Sequence, residues 1–426
     1  MTGSFPSPES ITRAVLPNGV IVLTYETHGS PSVVMSGHLW AGSLSEPPAQ
    51  AGLANLTAGS LTHGTETRTF GQINEALESV GAQLGFGSAT HTVGFGGKAL
   101  AEDLDLLLDI LADCLRKPTF PDREVAKLRG QILTDLERRA HDTRRMARLT
   151  FNELLYPDHP YGYSVNGYPE TVQGLDRQDL VRYYADHYSP QGLVISVVGA
   201  VPAQTVVDKV AAALGDWEAP AAQPNRSIPP AVELDAQRRR IVAVEGKTQA
   251  DVIVGWPALA RNDPDFMKAY LANTVLGVFG MMGRLGDNIR EEQGLAYYVY
   301  SRLEAGLGVG PWLAVAGVNP ANVERAIDGI LHEARRLRDE LVPGEELADS
   351  QAYLTGSMPL RLETNEGISA TLVEIERHGL GLDYLQRYEG LVRSVTAQDI
   401  REVSLAYLDP EVYVLAVAGP PVQESR

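Results

Sequence analysis

The chain has 426 residues, of which 44% are apolar and 21% are charged, and its formal net charge is −18. This length indicates two domains rather than one, and no apolar run approaches the ~20 residues of a membrane helix, so we expect no membrane partner. Because binding to a nucleic-acid backbone needs clustered Lys and Arg, the acidic balance argues against nucleic acid as a partner. A negative net charge is compatible with binding of basic peptides, and it is also compatible with a charge that serves only solubility.

The first residues and the cysteine content bear on the compartment. The stretch MTGSFPSPES has no basic segment followed by an apolar one, so we expect no secretory signal. The single cysteine, Cys114, excludes an intrachain disulfide and a cysteine-based zinc site. These features predict a cytoplasmic location.

The first half of the chain predicts several strands and then a run of helices. Strand patterns rich in β-branched and apolar residues are VIVLTYET (20–27), SVVMSGHLW (32–40), TVGFGG (92–97) and LVISVVGA (193–200). Helix patterns cover residues 70–80, 99–116 and 123–140. Thr69 precedes the first of them as an N-cap candidate and Gly81 follows it. The second pattern places Leu100, Leu104, Leu107, Leu108, Leu111 and Leu115 on one face.

The second half repeats this plan. Its strand patterns are RIVAVEG (240–246), DVIVGWPAL (251–259), WLAVAGV (312–318) and YVLAVAG (413–419). Its helix patterns cover residues 265–277, 321–338, 345–357 and 366–378. Strands come in runs and helices come in runs, which favours an α+β fold with mainly antiparallel sheets over a doubly wound parallel sheet.

Internal similarity indicates that the two halves are copies of one domain. QDLVRYYADHYSPQGLVISVVGA begins at Gln178, and QDIREVSLAYLDPEVYVLAVAGP begins at Gln398, an offset of 220 residues that also relates Gly199 to Gly419. Between the copies, residues 218–231 are rich in Pro and Ala and predict a linker. We therefore predict homologous domains at 1–217 and 232–426, each a mainly antiparallel β-sheet packed with helices, as in a duplicated α/β sandwich.

Several stretches, in this order and spacing, resemble one known family. They are LPNGV (16–20), HGTETRTFGQINEALESVGAQL (63–84), YPDHPYGYSVNGYPETVQGLDRQDLVRYYADHYSPQGLVISVVG (156–199) and GRLGDNIREEQGLAYYVYS (283–301). The chain resembles the pitrilysin, insulysin and mitochondrial processing peptidase family of inverted-motif zinc metallopeptidases. Its size is similar to the half-length branch, in which the resemblance implies two chains closing a clamshell around a chamber.

The zinc motif of that family is absent from the expected position. Active members carry His-x-x-Glu-His, in which two imidazoles bind Zn²⁺, the Glu activates its water, and a distant Glu completes the ligands. Here the aligned residues are Asn55, Leu56, Thr57, Ala58 and Gly59. Asp135, with Thr134 before it, stands nearest the position of the distant ligand. We therefore predict no catalytic and no metal-binding residue on this chain, although an adventitious metal at Asp135 or at a histidine stays open.

Other histidine pairs do not replace the motif. His63-x-x-Glu66 lacks a second imidazole. Glu374 and His378 stand at i, i+4 on a predicted helix, which is typical of a surface pair rather than a metal site.

A second family feature is present in IREEQGLAYYVYS. The resemblance implies that an Arg and a Tyr seven residues apart reach over the bound peptide, and here they are Arg290 and Tyr297. A guanidinium can hold a carbonyl or an acidic group, and a phenol can donate to an oxyanion. Strand alternation puts Tyr298 and Tyr300 on the face opposite Tyr297. We predict Arg290 and Tyr297 as substrate-binding residues.

These features lead to one main hypothesis and two alternatives. The main hypothesis is a non-catalytic, substrate-binding subunit of a zinc endopeptidase that acts on unfolded peptides. Its zinc would be on a homologous partner subunit bearing His-x-x-Glu-His. The first alternative is a structural or binding protein that keeps only the fold. The second is a homodimeric hydrolase with an unfamiliar site, and a homodimer of the isolated chain fits any of them.

Overall fold

The computed structural model describes residues 5–218, 226–278 and 283–421, so residues 219–225 of the predicted linker lie outside the described residues. The strands are β1 (Ile11–Val15), β2 (Ile21–Glu26), β3 (Ser32–Leu39), β4 (Gln83–Ser88), β5 (Val93–Leu100), β6 (Val194–Gly199), β7 (Arg238–Ala243), β8 (Ala250–Pro257), β9 (Ala296–Leu303), β10 (Pro311–Val318) and β11 (Val414–Gly419). The α-helices are α1 (Leu53–Ser60), α2 (Phe70–Ser79), α3 (Leu104–Arg116), α4 (Asp122–Ala140), α5 (Thr143–Leu155), α6 (Pro169–Gly174), α7 (Arg177–His187), α8 (Ala203–Leu214), α9 (Phe266–Gly277), α10 (Val323–Asp339), α11 (Gly344–Arg361), α12 (Asn365–His378), α13 (Tyr384–Arg393) and α14 (Ala397–Tyr407).

The two sheets share one strand order. The first sheet runs β1-β2-β6-β3-β5-β4, and the second runs β7-β11-β8-β10-β9. Each sheet has one parallel pair, β2 with β6 in the first and β7 with β11 in the second, while the other pairs are antiparallel. Apart from β1, each strand of the first sheet has a counterpart in the second. The predicted α+β fold, with a mainly antiparallel sheet packed with helices in each half, is confirmed.

Local sequence explains both ends of α2. Thr69 caps α2 in a reciprocal box with Gln72, and Gly81 adopts a φ of 66° just past the helix, as predicted. The predicted helix over 99–116 was wrong at its start. Residues up to Leu100 belong to β5, and Leu100 is exposed rather than part of the apolar helix face.

The first compact unit comprises the described parts of residues 1–136, 164–227 and 358–386. Its main core lies between the first sheet and helices α1, α3, α7 and α8. The helix α12 packs along β3 and β6. Ser369 Oγ donates to the Ser196 carbonyl at 3.3 Å, and Asn365 donates to the Ser32 carbonyl at 3.2 Å. The first sheet is therefore covered in part by a helix from the second half of the chain.

The second compact unit comprises the described parts of residues 137–163, 228–357 and 387–426. Here α5, a helix from the first half, packs along β8 and β11. Its Phe151 is fully buried, and a Cβ on Gly255 of β8 would stand 2.7 Å from that ring. Glycine at this position therefore lets the helix approach the sheet closely. Each compact unit thus includes one helix from the other half of the chain. The division into two homologous domains, 1–217 and 232–426, rests on internal sequence similarity and stays a prediction.

None of the helices in the described part of the chain combines the length and apolar character needed to cross a bilayer.

Candidate functional site

The helix α1 occupies the position where the resemblance expects a zinc motif. It starts after Gly52, whose φ of 100° is in the left-handed region. The Glu46 carboxylate accepts hydrogen bonds from the backbone N–H groups of Gly52 at 3.0 Å and Ala54 at 2.7 Å. It thereby satisfies N–H groups that a helix start leaves without partners. Burial raises the pKa of Glu46 to about 7, against the opposing effect of these hydrogen bonds.

The residues at the motif positions do not fit zinc. Ala58 is fully buried, and Asn55 and Gly59 are half-buried. A Cβ on Gly59 would stand 3.0 Å from Leu128 Cδ2 of α4, so an imidazole there would require Leu128 to move. Neither the donor set nor the space suits a zinc ion, which takes imidazole, thiolate or carboxylate ligands.

The other side chains considered as metal ligands do not form a cluster with one another in the described residues. Asp135 is half-buried on α4, and Thr134 Oγ1 donates to the Gly130 carbonyl at 3.0 Å. His63 stacks on Phe70 with ring centroids 4.6 Å apart. In residues 5–218, 226–278 and 283–421, no three His, Cys, Asp or Glu side chains come together in a way that could hold a metal ion. That this chain has no metal-binding residue stays a prediction.

The Glu374 and His378 pair lies on α12, with Glu374 Oε1 3.2 Å from His378 Nε2. The i, i+4 spacing is as predicted, but the surface placement was wrong for the histidine, whose side chain is only 6% exposed while that of Glu374 is 48% exposed.

Arg290 lies in a π-helical segment, Gly286–Glu292, that leads into the edge strand β9. The segment closes with hydrogen bonds from Gly294 N–H to the Arg290 carbonyl and from Leu295 N–H to the Ile289 carbonyl. Gly294 has a φ of 62°, which allows the chain to turn there. The Arg290 side chain is about one third exposed, and its Nε lies 3.5 Å from Glu291 Oε1. π-helical turns are frequent at functional sites.

A buried carboxylate on α10 holds this segment. Glu333 is fully buried; it accepts a hydrogen bond from Asn288 Nδ2 at 2.5 Å and another from Arg336 at 3.0 Å. On the same face, Gly329 leaves room for the fully buried Ile289, whose Cγ1 would stand 3.0 Å from a Cβ there. Because an unpaired buried carboxylate is strongly unfavourable, these contacts fix the position of the segment against α10.

Tyr297 lies at an irregularity of β9. The register pairs Ala296 with Val318 and Tyr298 with Gly317, so Tyr297 has no partner on β10 and forms a β-bulge. Its side chain is 61% exposed. Tyr298 and Tyr300, in contrast, pack against the core of the second unit, and their rings stack 6.2 Å apart.

The structure therefore presents both predicted residues on one continuous stretch of the second unit. Arg290 offers a part-exposed cation and Tyr297 an exposed phenol, with only residues 291–296 between them. A cleft of about 830 Å³ adjoins the same segment, lined in part by Asp287, Asn288 and Glu292. Sequence reasoning missed this cleft and the support from Glu333, because neither has a local pattern in the chain.

Comparisons with known proteins fit this architecture. Residues 22–167 match the model for insulinase, peptidase family M16, and residues 174–354 match the model for the peptidase M16 inactive domain. An uncharacterized zinc protease of Streptomyces coelicolor is 30% identical over 96% of this chain and 90% of its own length. The beta subunit of the mitochondrial-processing peptidase of Saccharomyces cerevisiae is 21% identical over 83% of this chain and 79% of its own length.

A crystal structure of a peptidase M16 inactive domain from Pseudomonas fluorescens has the same fold, with a TM-score of 0.88 and 24% identity over 98% of this chain and 100% of that one. A protease structure from Helicobacter pylori also matches, with a TM-score of 0.87 and 18% identity over 96% of this chain and 99% of that one. The chain belongs to the M16 peptidase family, as the resemblance predicted.

Proposed function

We propose that this chain is a non-catalytic, substrate-binding subunit of a zinc endopeptidase. The observation that carries the proposal is the combination of a zinc position filled by Asn55, Ala58 and Gly59 with an intact Arg290 and Tyr297 pair. A homologous partner chain with His-x-x-Glu-His would hold the zinc. The yeast relative is by name one subunit of a processing peptidase, which supports an assembly of more than one chain.

The two side chains suit different parts of a peptide substrate. The Arg290 guanidinium can hold a backbone carbonyl or an acidic side chain through paired N–H groups. The Tyr297 hydroxyl can donate a hydrogen bond to the scissile carbonyl oxygen as negative charge develops on it. An unfolded peptide would present these groups in an extended conformation, as in strand addition to a sheet edge. A cytoplasmic location stays a prediction of the sequence.

The test is peptidase activity against an unfolded peptide after co-expression with a zinc-motif homologue, one encoded beside this chain where it exists. Each chain is also assayed alone, and zinc is measured in every preparation. We expect activity only in the mixture, with about one zinc per pair of chains and none bound to this chain.

Variants then assign the activity to the two residues. We expect Arg290→Ala and Tyr297→Phe each to lower kcat/KM by about 10²-fold or more, a typical effect of removing one transition-state donor. Tyr300→Phe and Arg302→Ala, on the same strand as Tyr297, are matched controls that should leave the activity unchanged. No complex and no gain of activity would refute the proposal and favour a protein that keeps only the fold. Stoichiometric zinc in this chain alone would show that the zinc position was misassigned.

A further inference from the structure

Tyr298, the neighbour of Tyr297, makes an unusual set of contacts across the second sheet. Its side chain crosses strand β10 at Gly317 and reaches Asp251 on β8, where its hydroxyl donates to the carboxylate. A Cβ on Gly317 would stand only 2.3 Å from the Tyr298 ring, so a glycine is required for this crossing. The ring is thus held over one strand and bonded to the next.

The acceptor of that hydrogen bond is itself fixed. Asp251 is only 1% exposed. Its carboxylate also accepts from Thr143 Oγ1 of α5 at 2.5 Å and from Gln249 Nε2 at 3.2 Å. A buried carboxylate with several donors strongly favours a single arrangement.

The Tyr298 hydroxyl and ring have a second partner, Arg144 of α5. The Arg144 Nε donates to the hydroxyl at 2.9 Å, and its guanidinium carbon lies 4.1 Å from the ring centroid. The hydroxyl therefore both donates and accepts, and the ring is enclosed between Gly317 and Arg144.

These contacts determine the strand register next to the candidate site. Tyr298 pairs with Gly317 on one side of the bulge, and Ala296 pairs with Val318 on the other. A shift of one residue would move Tyr298 to the opposite face of the sheet and break its bond to Asp251. The bulge at Tyr297 is thereby retained, and bulges redirect the side chains that they carry.

We propose that Tyr298 is a positioning residue: its hydroxyl bond to Asp251 and its packing on Gly317 hold the bulge that presents Tyr297 to the substrate. The proposal rests on the proposed function for the role of Tyr297. The geometric part, that Tyr298 holds the bulge, can be tested without any peptidase activity.

The first test is hydrogen–deuterium exchange of peptides covering residues 294–303 in this chain alone. Tyr298→Phe removes only the hydroxyl and should speed exchange around the bulge by about tenfold or more, as expected for loss of a hydrogen bond to a charged group. Arg144→Ala, which changes a half-exposed side chain, should act in the same direction. Tyr300→Phe makes the same change two residues along the strand and should have no effect. Unchanged exchange in Tyr298→Phe, or an equal increase in Tyr300→Phe, would overturn the proposal.

The second test uses the active mixture of the two chains. Tyr298→Phe should lower kcat with little change in KM, and the Tyr297→Phe/Tyr298→Phe double variant should be no slower than Tyr297→Phe alone. If the losses of kcat in the two single variants add up in the double variant, Tyr298 does not act through Tyr297 and the proposal is overturned. If no mixture is active, the proposed function fails while the exchange experiment still decides whether Tyr298 holds the bulge.

Discussion

Glu46 makes the stability of this protein depend on pH in a direction that can be calculated. Its carboxylate lies at the start of α1 and accepts hydrogen bonds from Gly52 and Ala54, yet burial raises its pKa from 4.5 to about 7. Between these pH values the folded state keeps a proton that the unfolded chain releases. The contribution of Glu46 to stability is therefore complete below pH 4.5 and is lost as the pH rises through 7.

The size of the effect follows from the same two values. One pKa step is worth 1.36 kcal/mol, so the free energy of unfolding should fall by about 3 kcal/mol across the whole window. Between pH 5 and pH 8 the expected part is about 2 to 3 kcal/mol. The glutamine in Glu46→Gln cannot ionise, so this variant should not show that loss of unfolding free energy between pH 5 and pH 8. Relative to the unmodified chain, the variant should therefore be more stable at pH 8 than at pH 5 by that amount.

The assay is urea unfolding followed by far-ultraviolet circular dichroism at pH 5 and pH 8. Glu78→Gln, at an exposed position on α2, removes the same charge and serves as the control. A difference between Glu46→Gln and the unmodified chain that stays constant with pH would refute the reasoning. A pH-dependent difference of the same size in Glu78→Gln would also refute it, since the effect would then come from overall charge.

Four further substitutions test particular contacts. Gly317→Ala should lower thermal stability by at least about 1–3 kcal/mol because its Cβ would stand 2.3 Å from the Tyr298 ring. Gly390→Ala, inside α13 with open space around its Cβ, should raise stability by about 0.5–1 kcal/mol in the same melting experiment. Asp113→Ala should cost about 1–3 kcal/mol in urea unfolding because it removes the acceptor of the Thr65 and Thr67 hydroxyls while Arg68 keeps Asp109 as its partner, and an unchanged unfolding free energy would contradict this. Asn288→Ala leaves a buried carboxylate with one donor fewer, so amide exchange in residues 286–292 should become faster, whereas unchanged exchange would show that the segment is held by other contacts.

Local patterns in the sequence predicted much of the fold. The capping residues of α2 and the β-branched runs of β3, β6, β8 and β11 act through near neighbours, so they can be read directly. The strand β4, QLGFGS, was missed because Gly85 and Gly87 have low strand propensity, and its pairing with β5 defines it. Helix α12 was predicted, but an apolar helix face does not specify which sheet covers it.

The residues that support the candidate site could be predicted from local sequence even less than the strands and helices could. Arg290 and Tyr297 were found from the family resemblance, whereas the stretch YYVYS gives no sign that Tyr298 is bound to a residue 47 positions away. Asp251, its partner, lies in an ordinary strand pattern. Contacts between distant segments determine which of the tyrosines in this stretch supports the site. Such contacts cannot be predicted from the local pattern of a single sequence.

The exchange of helices between the halves has a consequence for synthesis on the ribosome. The sheet face that receives α12 carries Val34, Val194 and Val198, all buried in the finished fold. The last strand of that sheet ends at Gly199, whereas α12 begins at Asn365. At ~5–20 residues per second, the intervening chain takes on the order of 10 to 30 s to make. During that time an apolar surface of the nascent chain is open to chaperones and to other chains, so its yield in the cell should depend on chaperone supply as well as on final stability.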